Sequence, residues 1–139
     1  MTKQFNTGET QETLRQDYNP DGSVLRRAQM RMLDMAIYLQ ETAKKIGVPL
    51  RLDGGNVLGA LRHGGFIPWD DDIDMVVSQK DFKRLCDYLK AHPHPHYVLQ
   101  DNSTDSGFYK EWACLRDLRT ENRSHETSES ENRRIHEAQ

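Results

Sequence analysis

The sequence predicts an α/β (α+β) domain in which helices flank a mixed sheet. Apolar residues recur at three- and four-residue steps between residues 23 and 47, which is typical of an amphipathic helix. Apolar and acidic residues alternate over residues 72–77, which is typical of a strand. Turn residues divide the remaining apolar segments, so the predicted order is helix, strand, helix, strand, helix, strand, strand.

The first helix is predicted to begin at the N-cap Ser23 and to end at Gly47, a residue suited to the left-handed turn that closes a helix. Its apolar positions are Val24, Leu25, Ala28, Met32, Met35, Ala36, Leu39 and Ala43. The shorter elements are strands at 48–52, 73–77, 96–100 and 108–118, a helix at 57–62, and a helix that Ser78 caps and that ends before His92.

The polar residues collect at the two ends of the chain. Residues 1–22 and 119–139 contain few apolar side chains, so neither segment buries enough surface to offset the entropy lost on ordering. We therefore expect both segments to be poorly ordered and residues 23–118 to form the folded domain.

Composition excludes several classes of protein. The chain has 19 Lys and Arg against 22 Asp and Glu and carries no basic run, which argues against a nucleic-acid-binding surface. No apolar stretch approaches the roughly 20 residues of a membrane span, and the first residues lack the apolar core of a secretory signal. We therefore expect a cytoplasmic protein. Cys86 and Cys114 have no companions at metal-binding spacing and are expected to be small buried residues.

Asp72 and Asp74 are predicted to project from one face of a strand. Residues two apart on a strand lie roughly 6.6 Å apart at their bases, so their carboxylates can share a hard divalent cation. Without a cation they would repel each other and their pKa values would rise. Mg²⁺ (or Mn²⁺) fits such a pair, because it accepts one or two carboxylates together with substrate phosphates.

Gly54 and Gly55 form a turn before a short helix, where a backbone without Cβ atoms can approach a phosphate. The simpler interpretations are an ordinary turn here and a solvated loop for Asp70, Asp71, Asp72 and Asp74. A calcium-binding loop is excluded, because Met75 stands where its glycine belongs and Asp81 stands where its bidentate glutamate belongs.

Residues 50–85 resemble the LicD family, whose members are phosphocholine transferases of the nucleotidyltransferase fold. The segment from Gly54 to Asp74, and above all Arg62-His63 followed by Phe66-Ile67-Pro68-Trp69-Asp70-Asp71-Asp72-Ile73-Asp74, is similar to the family signature. The resemblance implies a nucleotidyltransferase-like mixed sheet with flanking helices. It also implies Mg²⁺-dependent transfer of phosphocholine, or a related phospho-alcohol, from a CDP-choline-like donor to a glycan hydroxyl, as in lipopolysaccharide biosynthesis.

The same resemblance assigns roles to individual residues. Asp72 and Asp74 would bind the metal and, with Arg62 and His63, form the catalytic group. The donor nucleotide and its phosphates would contact Gly54, Gly55, Asn56, Trp69, Lys110 and Arg116.

Several of these residues have two interpretations. His63 is either a base toward the acceptor hydroxyl or a fixed hydrogen-bond donor. Trp69 either stacks on a base or a choline-like cation, or is a buried anchor beside Pro68. Arg62, Lys110 and Arg116 either neutralise phosphate charge or are ordinary surface cations.

The chain departs from the family pattern in two respects. Asn56 stands where the family usually has Thr or Ser, and no strand with a third acid can be matched in residues 119–139. We therefore expect a domain that is incomplete at its C-terminus. The alternative functions are a non-catalytic module that binds nucleotide and metal, and another transferase of the nucleotidyltransferase fold.

Overall fold

The computed structural model describes residues 8–121, which divide into two compact units at Asp81 and Phe82. The first unit contains α1 (Gln11–Tyr18), α2 (Val24–Lys45), β1 (Arg51–Leu52), α3 (Gly54–Leu58), a π-helical segment (Gly59–His63) and β2 (Met75–Val76). The second contains most of α4 (Gln79–Ala91), then β3 (Tyr97–Gln100) and β4 (Cys114–Asp117). Within the described part of the chain, no helix is both long and apolar enough to cross a bilayer.

Helix α2 begins and ends where the sequence predicts. The Ser23 side chain accepts a hydrogen bond from the backbone N–H of Arg26 at 3.1 Å. At the other end Gly47 has a φ of 68°, and the N–H of Val48 donates to the carbonyl of Ala43 at 2.8 Å. These are the bonds of a Schellman motif, which only a residue that tolerates positive φ closes without strain.

Helix α1 differs from the expectation that residues 1–22 lack stable structure. Thr10 and Thr13 cap each other reciprocally, and Leu14 is buried. Arg15 forms ion pairs with Glu12 at 2.7 Å and Asp21 at 2.6 Å. Local capping and one buried leucine therefore order a segment whose composition alone argued against it. Residues 1–7 lie outside the described part of the chain.

Two separate antiparallel pairs take the place of the predicted mixed sheet in the described residues. In the first unit β1 pairs with β2, so that Arg51 lies opposite Val76 and Leu52 opposite Met75. In the second unit β3 pairs with β4 over four residues each. The prediction of one mixed sheet is wrong for these residues, while the combination of helices and strands is confirmed. One physical reason is that the backbone of residues 67–74 bonds mainly to side chains rather than to a neighbouring strand.

The second unit has its own buried apolar residues, which are Leu85, Cys86, Leu89 and Phe108. Burial raises the pKa of the Cys86 thiol, so this cysteine is confirmed as a small buried residue. Cys114 is only half-buried, and both cysteines are free. Of the polar segment predicted for residues 119–139, residues 122–139 lie outside the described part of the chain.

Candidate functional site

We call residues 70–74 the acidic segment. This segment and the strand that follows it have the alternation that the sequence predicts. Ile73, Met75 and Val77 are half-buried, whereas Asp72 and Asp74 are exposed. The paired strand itself covers only Met75 and Val76, so the two acids lie just before it. Their carboxylates therefore reach solvent from one side of an extended segment while the apolar side chains between them face the protein.

Asn56 holds the backbone of this acidic segment. Its side-chain Nδ2 donates to the carbonyl of Asp72 at 3.0 Å, and its Oδ1 accepts from the N–H of Asp74 at 2.5 Å. Asn56 is buried, so these bonds form away from competing water. The amide therefore fixes the peptide groups on both sides of Ile73. Because both polar atoms of the amide are used in this way, the phosphate contact predicted for Asn56 stays a prediction.

The glycine turn lies directly beside the acidic segment. The N–H of Asp53 donates to the carbonyl of Asp74 at 2.9 Å, which joins the two stretches of chain. Gly54 has a φ of 52°, a conformation that favours glycine. A Cβ on Gly55 would lie 3.2 Å from Oδ2 of Asp70. The two features that the sequence singled out separately are thus neighbours in the fold.

A turn at Pro68 and Trp69 leads into the acids. The N–H of Asp70 donates to the carbonyl of Ile67 at 3.0 Å, and Pro68 is fully buried. Gln29 of α2 donates its side-chain amide to the carbonyls of this turn. Gln29 is not among the site residues predicted from the sequence. The available signal was a polar residue four positions after Leu25 and three before Met32, on the apolar face of the helix.

Asp72 lies among other carboxylates. Partial desolvation raises the pKa of Asp72 even though its side chain is largely exposed, and the charges of Asp74, Asp70 and Asp71 raise it further. Among the described residues, the carboxylates of Asp72 and Asp74 accept no hydrogen bond and form no ion pair. Such a pair fits a cation that completes its shell with water and phosphate oxygens. No group of three or more potential ligands was found in residues 8–121, so the pair would supply only part of a metal's coordination.

His63 is buried at the end of the π-helical segment. Its Nδ1 contacts the side-chain amide of Gln11. Burial lowers the pKa of His63, and the charge of Arg62 lowers it further against an opposing effect of Asp70. Burial and the Arg62 charge therefore disfavour the protonated form of the imidazole.

Trp69 is open to solvent, with an exposed fraction of 55%. The interpretation of Trp69 as a buried anchor is therefore wrong, and Pro68 takes that place. The rings of Tyr18 and His63 meet Trp69 edge to face, at centroid distances of 5.4 Å and 6.3 Å. These contacts fix an exposed indole immediately before the first acid of the segment.

Lys110 and Arg116 belong to the second unit. The Lys110 ammonium lies 5.5 Å from the ring centroid of Trp112. Arg116 is half-buried in β4, where its Nε donates to Oε1 of Gln100 at 2.8 Å. Both cations thus have partners within their own unit, and their predicted role at the donor phosphates stays a prediction.

Comparison with known proteins places the glycine turn and the acidic segment within a recognised domain. The family model described as "LicD/FKTN/FKRP, nucleotidyltransferase domain" matches residues 47–136. The lipopolysaccharide cholinephosphotransferase LicD of Haemophilus influenzae is 34% identical over 98 residues, which are 70% of this chain and 37% of that protein.

Two further similar proteins are named for the transfer of ribitol phosphate. Human ribitol 5-phosphate transferase FKRP is 41% identical over 60 residues, 38% of this chain and 12% of that protein. Mouse ribitol-5-phosphate transferase FKTN is 34% identical over 67 residues, 48% of this chain and 14% of that protein. The chain therefore spans less than two fifths of the length of each of these relatives. No solved structure matches the chain.

Proposed function

Because the chain belongs to the LicD/FKTN/FKRP nucleotidyltransferase-domain family, we propose that it takes part in transferring a phospho-alcohol from a CDP-linked donor to a glycan hydroxyl. Phosphocholine is the proposed group, since a relative whose match covers 70% of this chain is a cholinephosphotransferase. A lipopolysaccharide or a similar glycan is the proposed acceptor for the same reason. A nucleotide-linked donor agrees with the cytoplasmic location expected from the sequence.

One observation carries the proposal: the glycine turn and the acid pair adjoin. The backbone bond between Asp53 and Asp74 and the amide of Asn56 hold them together. We propose that a diphosphate bound at the turn meets a cation held by the carboxylates. A Gly-Gly turn and an acidic loop are each common. Together they supply the least that transfer of a phosphorus-centred group requires, which is a site for the phosphates and carboxylates that hold a cation.

The charge at Asp72 supports a divalent cation. Three neighbouring acids oppose ionisation of this carboxylate, and their repulsion is relieved when a cation binds. Asp72 and Asp74 are the residues proposed to hold Mg²⁺ (or Mn²⁺). When bound, Mg²⁺ supplies positive charge that neutralises the donor diphosphate and the departing cytidine monophosphate.

The transfer itself forms a bond from the acceptor oxygen to the phosphorus that carries choline, and it breaks the bond from that phosphorus to the oxygen of cytidine monophosphate. The acceptor hydroxyl loses its proton to water, and cytidine monophosphate leaves with the electron pair of the broken bond. Little covalent help from the protein is needed for such a displacement, so positioning dominates. The glycine turn and the fixed acidic segment supply that positioning. Arg62, exposed at the end of the π-helical segment, is proposed to add positive charge.

The exposed indole of Trp69 supports recognition of the transferred alcohol. The trimethylammonium group of choline binds to aromatic faces by a cation–π interaction, whereas ribitol carries no charge. Tyr18 and His63 hold the indole ring in place. We therefore expect Trp69→Leu to weaken use of a choline donor more than use of a ribitol donor.

The buried position of His63 favours the fixed-donor interpretation over the base. Its ring is held by Gln11 and lies against Trp69, so it is suited to positioning the segment that follows. A base toward the acceptor needs to reach the acceptor's hydroxyl directly or through one water molecule.

Phosphorus NMR of CDP-choline with purified protein, Mg²⁺ and a glycan acceptor tests the proposal. We expect release of cytidine monophosphate, or slow hydrolysis without acceptor, and loss of at least about 100-fold in Asp72→Asn and Asp74→Asn. Asp71→Asn is the matched control. It removes the same charge, but the alternation of an extended chain puts residue 71 on the other side from Asp72 and Asp74. Equal rates in all three variants would contradict the proposal.

The same experiment distinguishes the alternative function. Metal-dependent binding of CDP-choline without any product would favour a nucleotide- and metal-binding module. The observation that favours this alternative is the limited set of ligands, since residues 8–121 contain no group of three or more potential metal ligands. CDP-ribitol as a second donor decides which alcohol is preferred.

A further inference from the structure

Gln29 is a fully buried glutamine in the middle of the first unit, with an exposed fraction of 0%. Its Nε2 donates to three backbone carbonyls that lie 38 to 41 residues away in sequence. The distances are 3.3 Å to Ile67, 3.3 Å to Pro68 and 2.8 Å to Asp70. A side chain of α2 therefore gathers the carbonyls of the turn that leads into the acidic segment.

The orientation of this amide is itself fixed. Oε1 of Gln29 accepts from Nδ2 of Asn19 at 2.9 Å and from Nη1 of Arg26 at 3.1 Å. Asn19 is also buried, and its Oδ1 accepts from the Ser23 hydroxyl at 2.6 Å. With two donors on its oxygen, the amide has only one orientation, in which its N–H groups face the turn.

Packing alone does not require a glutamine at this position. A buried amide costs free energy unless all its groups are bonded, and an apolar side chain of similar size fills the same space. What the amide adds is a set of partners for carbonyls in residues 66–71, which lie outside any strand or helix. The network therefore specifies the path of the backbone rather than filling volume.

Two buried amides thus hold the backbone before and within the acidic segment. Gln29 binds the turn from Ile67 to Asp70 that leads into it, and Asn56 binds it at Asp72 and Asp74. Buried side chains hold the backbone from the protein interior, while the carboxylates of Asp72 and Asp74 remain exposed to solvent. Residues that orient ligands from outside the coordination shell commonly change metal affinity by 10- to 100-fold when altered.

We propose that Gln29 is a positioning residue for the divalent-cation site, acting through the carbonyls of Ile67, Pro68 and Asp70 to fix the path of the backbone that leads into Asp72 and Asp74. This inference rests on the proposed function, because it takes the acid pair to be the cation site. Gln29 touches neither cation nor donor.

Titration of Mn²⁺, followed by the electron paramagnetic resonance signal of the free ion, tests the inference in Gln29→Glu. The substitution keeps shape and keeps an oxygen for Asn19 and Arg26, but it turns a carboxylate oxygen toward three carbonyls. The added negative charge by itself favours cation binding. We expect Mn²⁺ affinity to weaken by about tenfold or more at unchanged stoichiometry, which is opposite to the effect of the added charge.

Gln40→Glu is the matched control, since Gln40 is an exposed glutamine of the same helix. It should bind Mn²⁺ within about twofold of wild type, as expected for a change remote from the site. A purely structural role for Gln29 lowers the number of sites, through a smaller folded fraction, without changing the dissociation constant. Circular dichroism of each sample measures that folded fraction.

Wild-type affinity in folded Gln29→Glu would overturn the inference. If this variant fails to fold, Asn19→Ala decides, because it frees the amide to turn while leaving Gln29 in place. A folded Asn19→Ala that binds Mn²⁺ about two- to fivefold more weakly supports the inference, and one with wild-type affinity overturns it. Wild-type protein that binds no Mn²⁺ would refute both the inference and the proposed metal-dependent transfer, whereas the other outcomes concern Gln29 alone.

Discussion

Gly59 lies where the π-helical segment touches the loop that follows it. Its backbone has right-handed helical angles, with φ −57° and ψ −50°, so an alanine there fits the local conformation. Gly→Ala in a helix normally stabilises by about 0.5–1 kcal/mol. Helix propensity alone therefore predicts that Gly59→Ala strengthens the fold.

The tertiary contacts of Gly59 predict the opposite. A Cβ there would lie 2.5 Å from the carbonyl oxygen of Gly65 and 3.1 Å from the nitrogen of Ile67. Both are backbone atoms, so relief requires moving the loop that carries the Pro68 turn. Overpacking of this kind costs about 1–3 kcal/mol, which outweighs the gain in propensity. The net expectation is a loss of about 1–2 kcal/mol in the free energy of unfolding.

Urea unfolding followed by circular dichroism measures this loss. With a slope of about 1–3 kcal/mol per molar urea, the midpoint should fall by about 0.3–2 M. Gly65→Ala is the matched control, because a Cβ there meets nothing within 4 Å. It should change stability by less than about 0.5 kcal/mol. A Gly59→Ala protein as stable as wild type would refute the close approach of the loop.

Three further predictions concern pairing and charge. The carboxylate of Asp101 is partly buried, which would raise its pKa, but bonds from Ser103, Lys90 and Thr104 lower that pKa to about 2. Asp101→Asn should therefore destabilise by about 1–2 kcal/mol at pH 7, and the difference from wild type should vanish as pH falls from about 4 to about 2 in urea unfolding series. Asn56→Asp removes the donor to the Asp72 carbonyl and should cost about 1–3 kcal/mol in the same assay, with unchanged stability arguing against the buried clamp. Because burial lowers the pKa of His63, protons favour the unfolded state, so wild type should lose stability as pH falls below about 6.5, and His63→Gln should lose less.

Much of the fold is encoded locally and was predicted on that basis. The limits of α2 follow from Ser23 and Gly47, whose capping preferences need no tertiary context. The exposure of Asp72 and Asp74 follows from the period of an extended chain. These elements depend on neighbours in sequence, so pattern alone identifies them.

The rest depends on contacts that are distant in sequence or on short-range pairs of polar residues. The bonds of Gln29 reach 38 to 41 residues along the chain, and no local pattern indicates its partners. Helix α1 is ordered by Thr10 with Thr13 and by the ion pairs of Arg15, which average composition does not reveal. The single mixed sheet expected from the sequence does not form in residues 8–121, because much of the backbone of residues 67–74 bonds to amide side chains rather than to a further strand.

The proposed pairing of Asp72 and Asp74 around one cation is tested most directly by a Mn²⁺ titration of the Asp72→Asn/Asp74→Asn double variant, with Asp71→Asn and wild type measured alongside. Binding at one site in wild type and in Asp71→Asn, and a loss of about 100-fold or more in the double variant, is the predicted result. Equal Mn²⁺ affinity in all three proteins would contradict it.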